Sequence, residues 1–204
     1  MSGDRPFVLC LTASLGMGKS TAAKFFAATG VPVHDSDAVV HALYEGEAVP
    51  LIEAAFPGST TSGKVDRTKL AAMVLNDNAA LARLEAIVHP LVFASREKFL
   101  AEAQARGAPV VVLDVPLLFE TDTDSRCDAV VVVSAPAEMQ RQRAFERAGM
   151  TKDKFSAILR QQMPDAEKRR RADFILDSSQ DFEHTRAQIA DILQRVAKMA
   201  QRHR

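Results

Sequence analysis

The sequence predicts an α/β fold built on a parallel, doubly wound sheet, and two observations support this prediction. Short apolar runs alternate along the chain with segments of helical composition, which favours parallel strands joined by crossover helices. Several of the runs are apolar throughout, as expected for strands that are covered on both faces. The predicted strands are, in chain order, 7–11, 31–33, 110–113, 129–133 and 174–176.

Length and composition fit one domain with an insertion. The chain has 204 residues, of which 47% are hydrophobic and 25% charged, and its formal net charge is zero. The neutral total gives no general bias towards nucleic acid or membranes. Two cysteines predict no disulfide framework, and we expect Cys10 to pack as a small apolar residue. No secretory leader or membrane-spanning run is visible, so we expect a cytoplasmic protein.

Two regions do not fit a simple strand–helix repeat. Residues 37–107 separate the second and third predicted strands and are mostly helical in composition, which indicates an inserted helical subdomain. Residues 139–171 form a second helical region, and its part from 141 to 171 carries ten Lys or Arg against four Asp or Glu. The predicted core comprises 6–36, 108–138 and 172–204, and it ends in an amphipathic helix.

The segment 13–20, Ala-Ser-Leu-Gly-Met-Gly-Lys-Ser, matches a phosphate-binding loop in which alanine replaces the first glycine. A predicted strand precedes it and a helical segment follows it, as the motif requires. Backbone N–H groups and the helix N-terminus bind phosphate oxygens in such a loop. Lys19 would contact the β- and γ-phosphates and Ser20 would ligate Mg²⁺. The alternative is a glycine-rich turn with an exposed lysine, and Ala13 fits the loop only at negative φ.

Carboxylates follow two predicted strands, at the sheet edge where ligands bind in open α/β folds. Asp35 and Asp37 come after the second strand, and on an extended chain their side chains would point the same way. Either could accept a proton from a hydroxyl, hold Mg²⁺ through water, or cap the next helix. We favour a chemical role for Asp37, with Asp35 in support. Asp114 follows the third strand and fits either a metal-binding aspartate or a turn residue.

Basic residues of the region 139–171 are candidates for contacts to a transferred phosphoryl group, whose charge arginine stabilises well. Arg143 and Arg147 are four residues apart and would share a helix face. We favour the phosphoryl role for these two. For 169–171 we favour a solvated face or salt bridges. His89, which with Pro90 would end a helix of the insertion, is by residue type alone a structural candidate.

Several motifs together resemble the dephospho-coenzyme A kinase family. The phosphate loop is shared by many kinases, whereas His-Pro at 89–90 and Pro-Leu-Leu-Phe-Glu at 116–120 are more specific. The matches occur in order over most of the chain. The matching segments are 12–21, 33–37, 84–90, 115–120, 140–147, 160–163 and 171–177.

The resemblance implies a P-loop kinase of the nucleoside monophosphate kinase type, a three-layer fold with a five-stranded parallel sheet, a helical acceptor-binding insertion and a helical lid at 139–171. It implies ATP-dependent phosphorylation of the ribose 3′-hydroxyl of dephospho-CoA, the last step of coenzyme A biosynthesis, with Mg²⁺. Asp37 would be the base, with Lys19 and Arg143 also catalytic. Nucleotide contacts are assigned to Gly16, Met17, Gly18, Lys19, Ser20, Thr21 and Arg147, with Ser20 also on the metal. Acceptor contacts are assigned to Asp35, His89, Pro116, Leu117, Leu118 and Arg160.

The sequence departs from the family pattern at Ala13, where glycine is usual, and at 178–180, Ser-Ser-Gln, which would border the adenine site. Two other functions stay open: a kinase for another small alcohol, and a nucleotide-binding regulatory module that phosphorylates no small molecule. Nucleic-acid binding is disfavoured, because the basic patch is confined to the lid and aromatic residues make up only 6%. We expect a monomer that binds no membrane.

Overall fold

The computed structural model describes residues 5–75 and 77–202 of the chain. Its strands are β1 (Phe7–Ala13), β2 (Val33–Asp35), β3 (Thr60–Thr61), β4 (Lys64–Val65), β5 (Val110–Asp114), β6 (Ala129–Ser134) and β7 (Phe174–Asp177). Its helices are α1 (Lys19–Ala28), α2 (Ser36–Leu43), α3 (Ala48–Ala55), α4 (Arg67–Val74), α5 (Asn78–Ala105), α6 (Ala137–Phe145), α7 (Lys152–Gln161), α8 (Asp165–Arg171) and α9 (Phe182–Arg202). A short 3₁₀ helix covers Thr123–Arg126.

Five strands form a parallel sheet in the order β2-β5-β1-β6-β7, which confirms the predicted fold class. Leu9 of the central strand β1 lies opposite Val112 of β5 on one side and Ala129 of β6 on the other. Every residue of β1, β5 and β6 is buried, which explains why their sequences are mostly apolar. After β1 the chain forms β2 and β5 on one side of β1, and it then forms β6 and β7 on the other side, so the strand order reverses at β1. Ligands bind at such switch points, at the carboxyl ends of the strands.

One face of the sheet packs against α1 and α9. Leu9 and Leu11 of β1 share a core with Phe26 of α1 and with Ile189 and Val196 of α9. Ile189 and Val196 are seven residues apart, so they lie on the same face of α9. This core fixes β1 and α1, the two elements that flank the segment 13–20.

Cys10 and Cys127 form a disulfide bond, so the expectation that the cysteines form none is wrong. The two residues are 117 positions apart in the sequence. The pairing of β1 with β6 brings them together, since Cys10 lies opposite Val130 and Cys127 lies just before β6. Cys10 is buried, as expected for a residue in the middle of a core strand.

Residues 36–101 form a compact unit with a core of their own, to which Leu43, Ile52, Leu70 and Leu84 contribute. Strands β3 and β4 form an antiparallel hairpin inside this unit. The prediction that a helix ends at 89–90 is wrong, because α5 continues through Pro90 to Ala105. No helix in the described part of the chain is long and apolar enough to cross a bilayer.

Candidate active site

The segment 13–20 forms a tight loop between β1 and α1. Ala13 is the last residue of β1, in register with Val133 of β6, and among the described residues it is not one of those with positive φ. Its methyl group is therefore accommodated without strain. Gly16 and Gly18 have φ values of +80° and +90°, a region that favours glycine. Helix α1 begins at Lys19, so the loop ends at a helix N-terminus.

Both glycines also allow close approaches from other parts of the chain. A Cβ atom at Gly16 would lie 2.5 Å from the carbonyl oxygen of Gln140, and one at Gly18 would lie 3.2 Å from Oγ of Ser178. The Ser14 hydroxyl is buried and has no hydrogen-bond partner among the described residues. A buried polar atom of this kind fits a loop that receives a polar ligand.

Lys19 is turned inwards, towards the sheet. Its Nζ lies 2.6 Å from Oδ1 of Asp114, and the two side chains are 13% and 2% exposed. This geometry excludes the alternative of an exposed lysine on an ordinary turn. Asp114 ends β5, and it lies opposite Asp35, which ends β2. Two neighbouring strands therefore each place a carboxylate at the edge of the sheet that carries the loop.

The oxygen groups at this edge suit Mg²⁺. Ser20 is exposed in the first turn of α1, and the carboxylates of Asp114 and Asp35 end adjacent strands. Within 5–75 and 77–202 no group of three or more His, Cys, Asp or Glu could form an all-protein metal site. Mg²⁺ does not need one, because it is commonly held by one or two carboxylates together with substrate phosphates and water. The donors present therefore fit the ion.

Asp37 lies in the first turn of α2, which begins at Ser36. The chain is therefore not extended from Asp35 to Asp37, and the prediction of an extended backbone between them is wrong. An acidic residue in a first turn is favoured by the helix dipole. The Asp37 side chain is exposed and so reachable by a ligand. Its role as a base stays a prediction.

Arg143 of α6 is linked to the phosphate loop through Ser178. Its Nη1 donates to Oγ of Ser178 at 3.0 Å and its Nη2 donates to the Ser178 carbonyl oxygen at 2.7 Å. The Ser178 hydroxyl in turn donates to the carbonyl oxygen of Met17 at 2.8 Å. The structure thus brings the predicted arginine to the loop, although its contact with a nucleotide stays a prediction.

A cavity of about 250 Å³ opens beside this link. Its walls combine hydroxyl groups, an arginine and the ring of Phe182, which is 63% exposed and packs edge-to-face on Phe25. Flat aromatic surface with a few polar groups is suited to a nucleoside. The lining residues are Gly18, Thr21, Ala22, Arg143, Ser178, Gln180, Phe182 and Thr185.

The remaining basic residues are less closely tied to the loop. Helix α6 ends at Phe145, so Arg147 lies in the turn that follows and the prediction of a shared helix face with Arg143 is wrong. Arg147 is exposed, as is Arg160 at the end of α7. Their contacts with substrate stay predictions.

The run 168–171 contains one residue unlike the others. Lys168 is fully buried, with its Nζ 2.8 Å from Oε1 of Glu120. Arg170 and Arg171 form surface ion pairs, Arg170 with Glu167 of the same helix, in agreement with the salt bridges that we favoured for this run.

Two groups lie against Oε1 of Glu120: Nζ of Lys168 forms an ion pair with it at 2.8 Å, and the backbone N–H of Met163 donates to it at 2.8 Å. Burial by itself would raise the pKa of this carboxyl, but the lysine and the Met163 N–H outweigh burial and hold the pKa below its usual value. The carboxylate is therefore charged in the folded protein at neutral pH.

Four of the predicted acceptor residues lie on α5 and in the segment that follows β5. His89 is exposed in the middle of α5. Pro116, Leu117 and Leu118 follow β5, and the Pro116 carbonyl accepts a hydrogen bond from Oγ1 of Thr12 at 3.2 Å. Leu117 is 41% exposed, whereas Leu118 is 1% exposed and packs inside the protein. Of the three, Leu117 offers the apolar surface, and their part in binding stays a prediction.

Three polar residues near the site were given no role from the sequence: Gln140, Gln162 and Lys168. The two glutamines lie inside segments that carry the family resemblance, so their positions gave a signal that was not used. The sequence gave no signal that Lys168 is buried, because a lysine in a run of basic residues normally lies on the surface.

The parallel sheet, the loop between β1 and α1 and the inward lysine are the features of a P-loop, kinase-like fold. The sequence profile of the dephospho-CoA kinase family matches residues 7–184. The chain therefore belongs to the dephospho-CoA kinase family.

Individual relatives agree with this assignment. A dephospho-CoA kinase of Bradyrhizobium diazoefficiens is 62% identical over 96% of this chain and 98% of its own length. The crystal structure of a Thermus thermophilus protein has a TM-score of 0.81 at 34% identity, covering 94% of this chain and 98% of that one. A dephospho-CoA kinase from Campylobacter jejuni has a TM-score of 0.65 at 23% identity, with 94% and 97% covered, and this likeness concerns the fold alone.

Proposed function

We propose that this kinase transfers the γ-phosphoryl group of ATP to the ribose 3′-hydroxyl of dephospho-CoA, giving coenzyme A and ADP. This is the last step of coenzyme A biosynthesis. The family match over residues 7–184 supports the two substrates. The observation that carries the chemistry is the position of Lys19, held 2.6 Å from Asp114 at the loop.

The loop and the cavity beside it would hold ATP. The N–H groups of the loop and the N-terminus of α1 supply partial positive charge to the β- and γ-phosphates. Lys19 would exchange Asp114 for phosphate oxygens and follow the charge that develops on the leaving group. The cavity at Gly18 and Phe182 has the composition expected of the nucleoside subsite.

Mg²⁺ would be held by Ser20, with the Asp114 and Asp35 carboxylates available directly or through water. When bound, the ion neutralises charge on the β- and γ-phosphates.

In the transfer itself, the 3′-oxygen attacks the γ-phosphorus in line, the bond from that phosphorus to the β–γ bridging oxygen breaks, and ADP leaves. Asp37 would orient the hydroxyl and take its proton. Arg143 would stabilise the transferring group, with Arg147 on the nucleotide and Arg160 on the acceptor. Exclusion of water by the lid segment would limit ATP hydrolysis.

Acceptor binding is assigned to Asp35, His89 and the segment 116–118. The apolar surface of Leu117 and the exposed ring of His89 support this assignment. The test is the KM for dephospho-CoA in Leu117→Ala and His89→Ala, which we expect to rise while the KM for ATP is unchanged.

The proposal includes a monomer that acts in the cytoplasm, where ATP is made. Light scattering on the purified protein tests the monomer. The bond between Cys10 and Cys127 is unusual for that compartment, where thiols are kept reduced. To test this, protein is taken from cells under acid quench, unfolded without reductant and alkylated, so that its free thiols can be counted. Two free thiols would show that the bond is absent in the cell.

The decisive experiment combines purified protein, MgATP and dephospho-CoA, with product identified by mass and by the position of its phosphate. A 3′-phosphorylated product with one ADP per transfer supports the proposal. Turnover of other alcohols in a substrate panel, with none of dephospho-CoA, would point to a different small-molecule kinase. Nucleotide binding without acceptor-dependent ADP release would point to a regulatory module.

Replacement of the proposed base, Asp37→Asn, should lower kcat roughly 10²- to 10⁴-fold while ATP affinity changes little, because general-base catalysis is lost and phosphate binding is kept. Asp191→Asn, on the exposed face of α9, is the control and should leave kcat unchanged. Unchanged turnover in Asp37→Asn would refute its role as base.

A further inference from the structure

The peptide backbone of Leu15, the third residue of the phosphate loop, is held on both sides by glutamine side chains. Its N–H donates to Oε1 of Gln162 at 3.0 Å, and its carbonyl oxygen accepts from Nε2 of Gln140 at 2.8 Å. An N–H needs an acceptor and a carbonyl needs a donor, so these partners fix the orientation of both carboxamides. Gln140 lies in α6 and Gln162 directly follows α7. Two separate parts of the lid segment therefore meet at one loop residue.

We propose that Gln140 and Gln162 are positioning residues for ATP. They hold the Leu15 backbone and thereby keep the N–H groups that follow it in the loop directed at the triphosphate. The Leu15 N–H donates to Gln162 and the Met17 N–H donates to the Ser14 carbonyl oxygen at 3.2 Å, so these two loop N–H groups are already paired within the protein. This inference rests on the proposed use of ATP, and it adds two side chains that would act on the nucleotide through the loop.

Gln140 contacts the loop with both its side chain and its main chain. It is 7% exposed, and its carbonyl oxygen lies where a Cβ atom on residue 16 would be only 2.5 Å away. Close packing of this kind transmits small displacements, because neither side can yield without a clash. A shift of α6 would therefore move the loop at Leu15 and Gly16 together.

Gln162 is fixed by its chain neighbour. The N–H of Met163 donates to Oε1 of Glu120 at 2.8 Å, and the same oxygen lies 2.8 Å from Nζ of the fully buried Lys168. The residue that follows Gln162 is thus attached to a buried ion pair. Its contact with Leu15 belongs to a supported arrangement and differs from a chance contact between flexible surface side chains.

The chain provides a matched control for each glutamine. Gln142 lies on the same helix as Gln140 and is exposed, and Gln161 precedes Gln162 and is also exposed. The test therefore compares Gln140→Leu with Gln142→Leu, and Gln162→Leu with Gln161→Leu. Binding of a non-hydrolysable ATP analogue with Mg²⁺ is measured by calorimetry without acceptor, and the KM for each substrate is measured in the kinase assay.

We expect Gln140→Leu and Gln162→Leu each to weaken analogue binding and raise the KM for ATP roughly 3- to 10-fold, the effect of one lost hydrogen bond. The KM for dephospho-CoA should be unchanged. The double variant should lose less than the product of the two single effects, because both side chains act on the backbone of one residue, Leu15. The control variants should bind the analogue as the wild type does.

Wild-type binding of the analogue by Gln140→Leu and Gln162→Leu would overturn the inference, as would an equal rise in the KM for both substrates. A wild-type protein that binds the analogue but does not phosphorylate dephospho-CoA would refute the proposed function and leave the binding test of the glutamines intact.

Substitution by glutamate provides a test that does not depend on activity. It also avoids placing an apolar side chain at a position occupied by a polar one. Gln162→Glu keeps an acceptor for the Leu15 N–H, whereas Gln140→Glu replaces the donor to the Leu15 carbonyl by a carboxylate. In the nucleotide-free protein near neutral pH, Gln140→Glu should therefore lower Tm by about 2–8 °C and Gln162→Glu by clearly less. Equal Tm values for the two, or the reverse order, would contradict the hydrogen bonds on which the inference stands.

Discussion

Two lysine–carboxylate pairs in this molecule have nearly the same geometry and differ in their surroundings. Lys19 and Asp114 are 2.6 Å apart, with side chains 13% and 2% exposed. Lys168 and Glu120 are 2.8 Å apart, with side chains 0% and 13% exposed. The first pair lies at the loop that we propose binds phosphates, where its lysine would change partner. The second lysine is enclosed by protein and is a fixed support.

The comparison shows that burial of a charged pair does not by itself reveal its use. A buried pair contributes little stability relative to apolar residues, yet removal of one partner is costly because a charge is left uncompensated. What separates the two pairs is access: Lys19 directly follows the glycine loop and is 13% exposed, whereas Lys168 is 0% exposed. We therefore expect substitutions at the first pair to affect catalysis most and substitutions at the second to affect stability most.

The largest effect is expected for Lys19→Met. It should lower kcat/KM roughly 10²- to 10³-fold or more, because the proposed donor to the transferring phosphoryl group would be lost. Lys19→Met should also lower thermal stability, because it leaves the Asp114 carboxylate buried without its cation. The double variant Lys19→Met with Asp114→Asn should regain that stability, since no unpaired charge is buried, but it should not regain activity. ADP release and thermal unfolding measure the two properties separately, and activity restored by the double variant would contradict the role of Lys19.

The second pair should respond in the opposite way. Lys168→Met leaves Glu120 without its cation and should lower the free energy of unfolding by about 3–5 kcal/mol. For a chain of this size that corresponds to a Tm lower by about 6–20 °C. Activity measured well below Tm should fall far less than in Lys19→Met. A double variant with Glu120→Gln should recover part of the stability, and a Tm unchanged in Lys168→Met would show that the pair is not a support.

The pH dependence of stability should sharpen the difference. The pKa of Glu120 is lowered in the folded protein, so its stabilising contribution is present above the ordinary carboxyl pKa of about 4.3 and is lost as pH falls through the lower folded value. Urea unfolding of the wild type and Glu120→Gln should therefore show a stability difference that shrinks as pH falls below about 5. A difference that grows towards acid pH would mean that the pKa is raised instead.

The smallest effect is expected at Ser178, which joins Arg143 to the phosphate loop by hydrogen bonds. Ser178→Ala removes the hydroxyl that joins Arg143 to Met17 and should raise the KM for ATP roughly 2- to 10-fold, as expected for lost hydrogen bonds. The neighbouring Ser179→Ala is the control, because its residue does not line the cavity. Equal effects in the two variants would assign the loss to a general disturbance of the segment.

The sequence predicted the parts of the molecule that depend on local patterns. Strands β5 and β6 were placed to within one residue, because their apolar runs reflect burial on both faces. Strand β2 was predicted two residues early, at 31–33, because Pro32 and its neighbours are apolar although pairing with β5 begins only at Val33. The loop 13–20 was recognised because its backbone geometry dictates where glycine must stand.

The sequence could not reveal contacts between distant segments. Cys10 and Cys127, Glu120 and Lys168, and Leu15 and Gln162 are brought together by strand pairing and helix packing, and no local pattern encodes them. The continuous helix α5 was missed for a related reason. Proline is expected to end a helix, but Leu84 and Val88 on the same helix are packed in the core of the unit 36–101 and favour its continuation.

The alanine that begins the phosphate loop has a wider consequence. Ala13 is the last residue of an ordinary β-strand, so a side chain is tolerated there. Glycine is required only from Gly16, where φ is positive and the Gln140 carbonyl of α6 approaches closely. Homology screens that insist on glycine at the first place would discard genuine nucleotide-binding chains such as this one. Variant libraries of such loops could therefore sample small residues at the first position and leave the two later glycines unchanged.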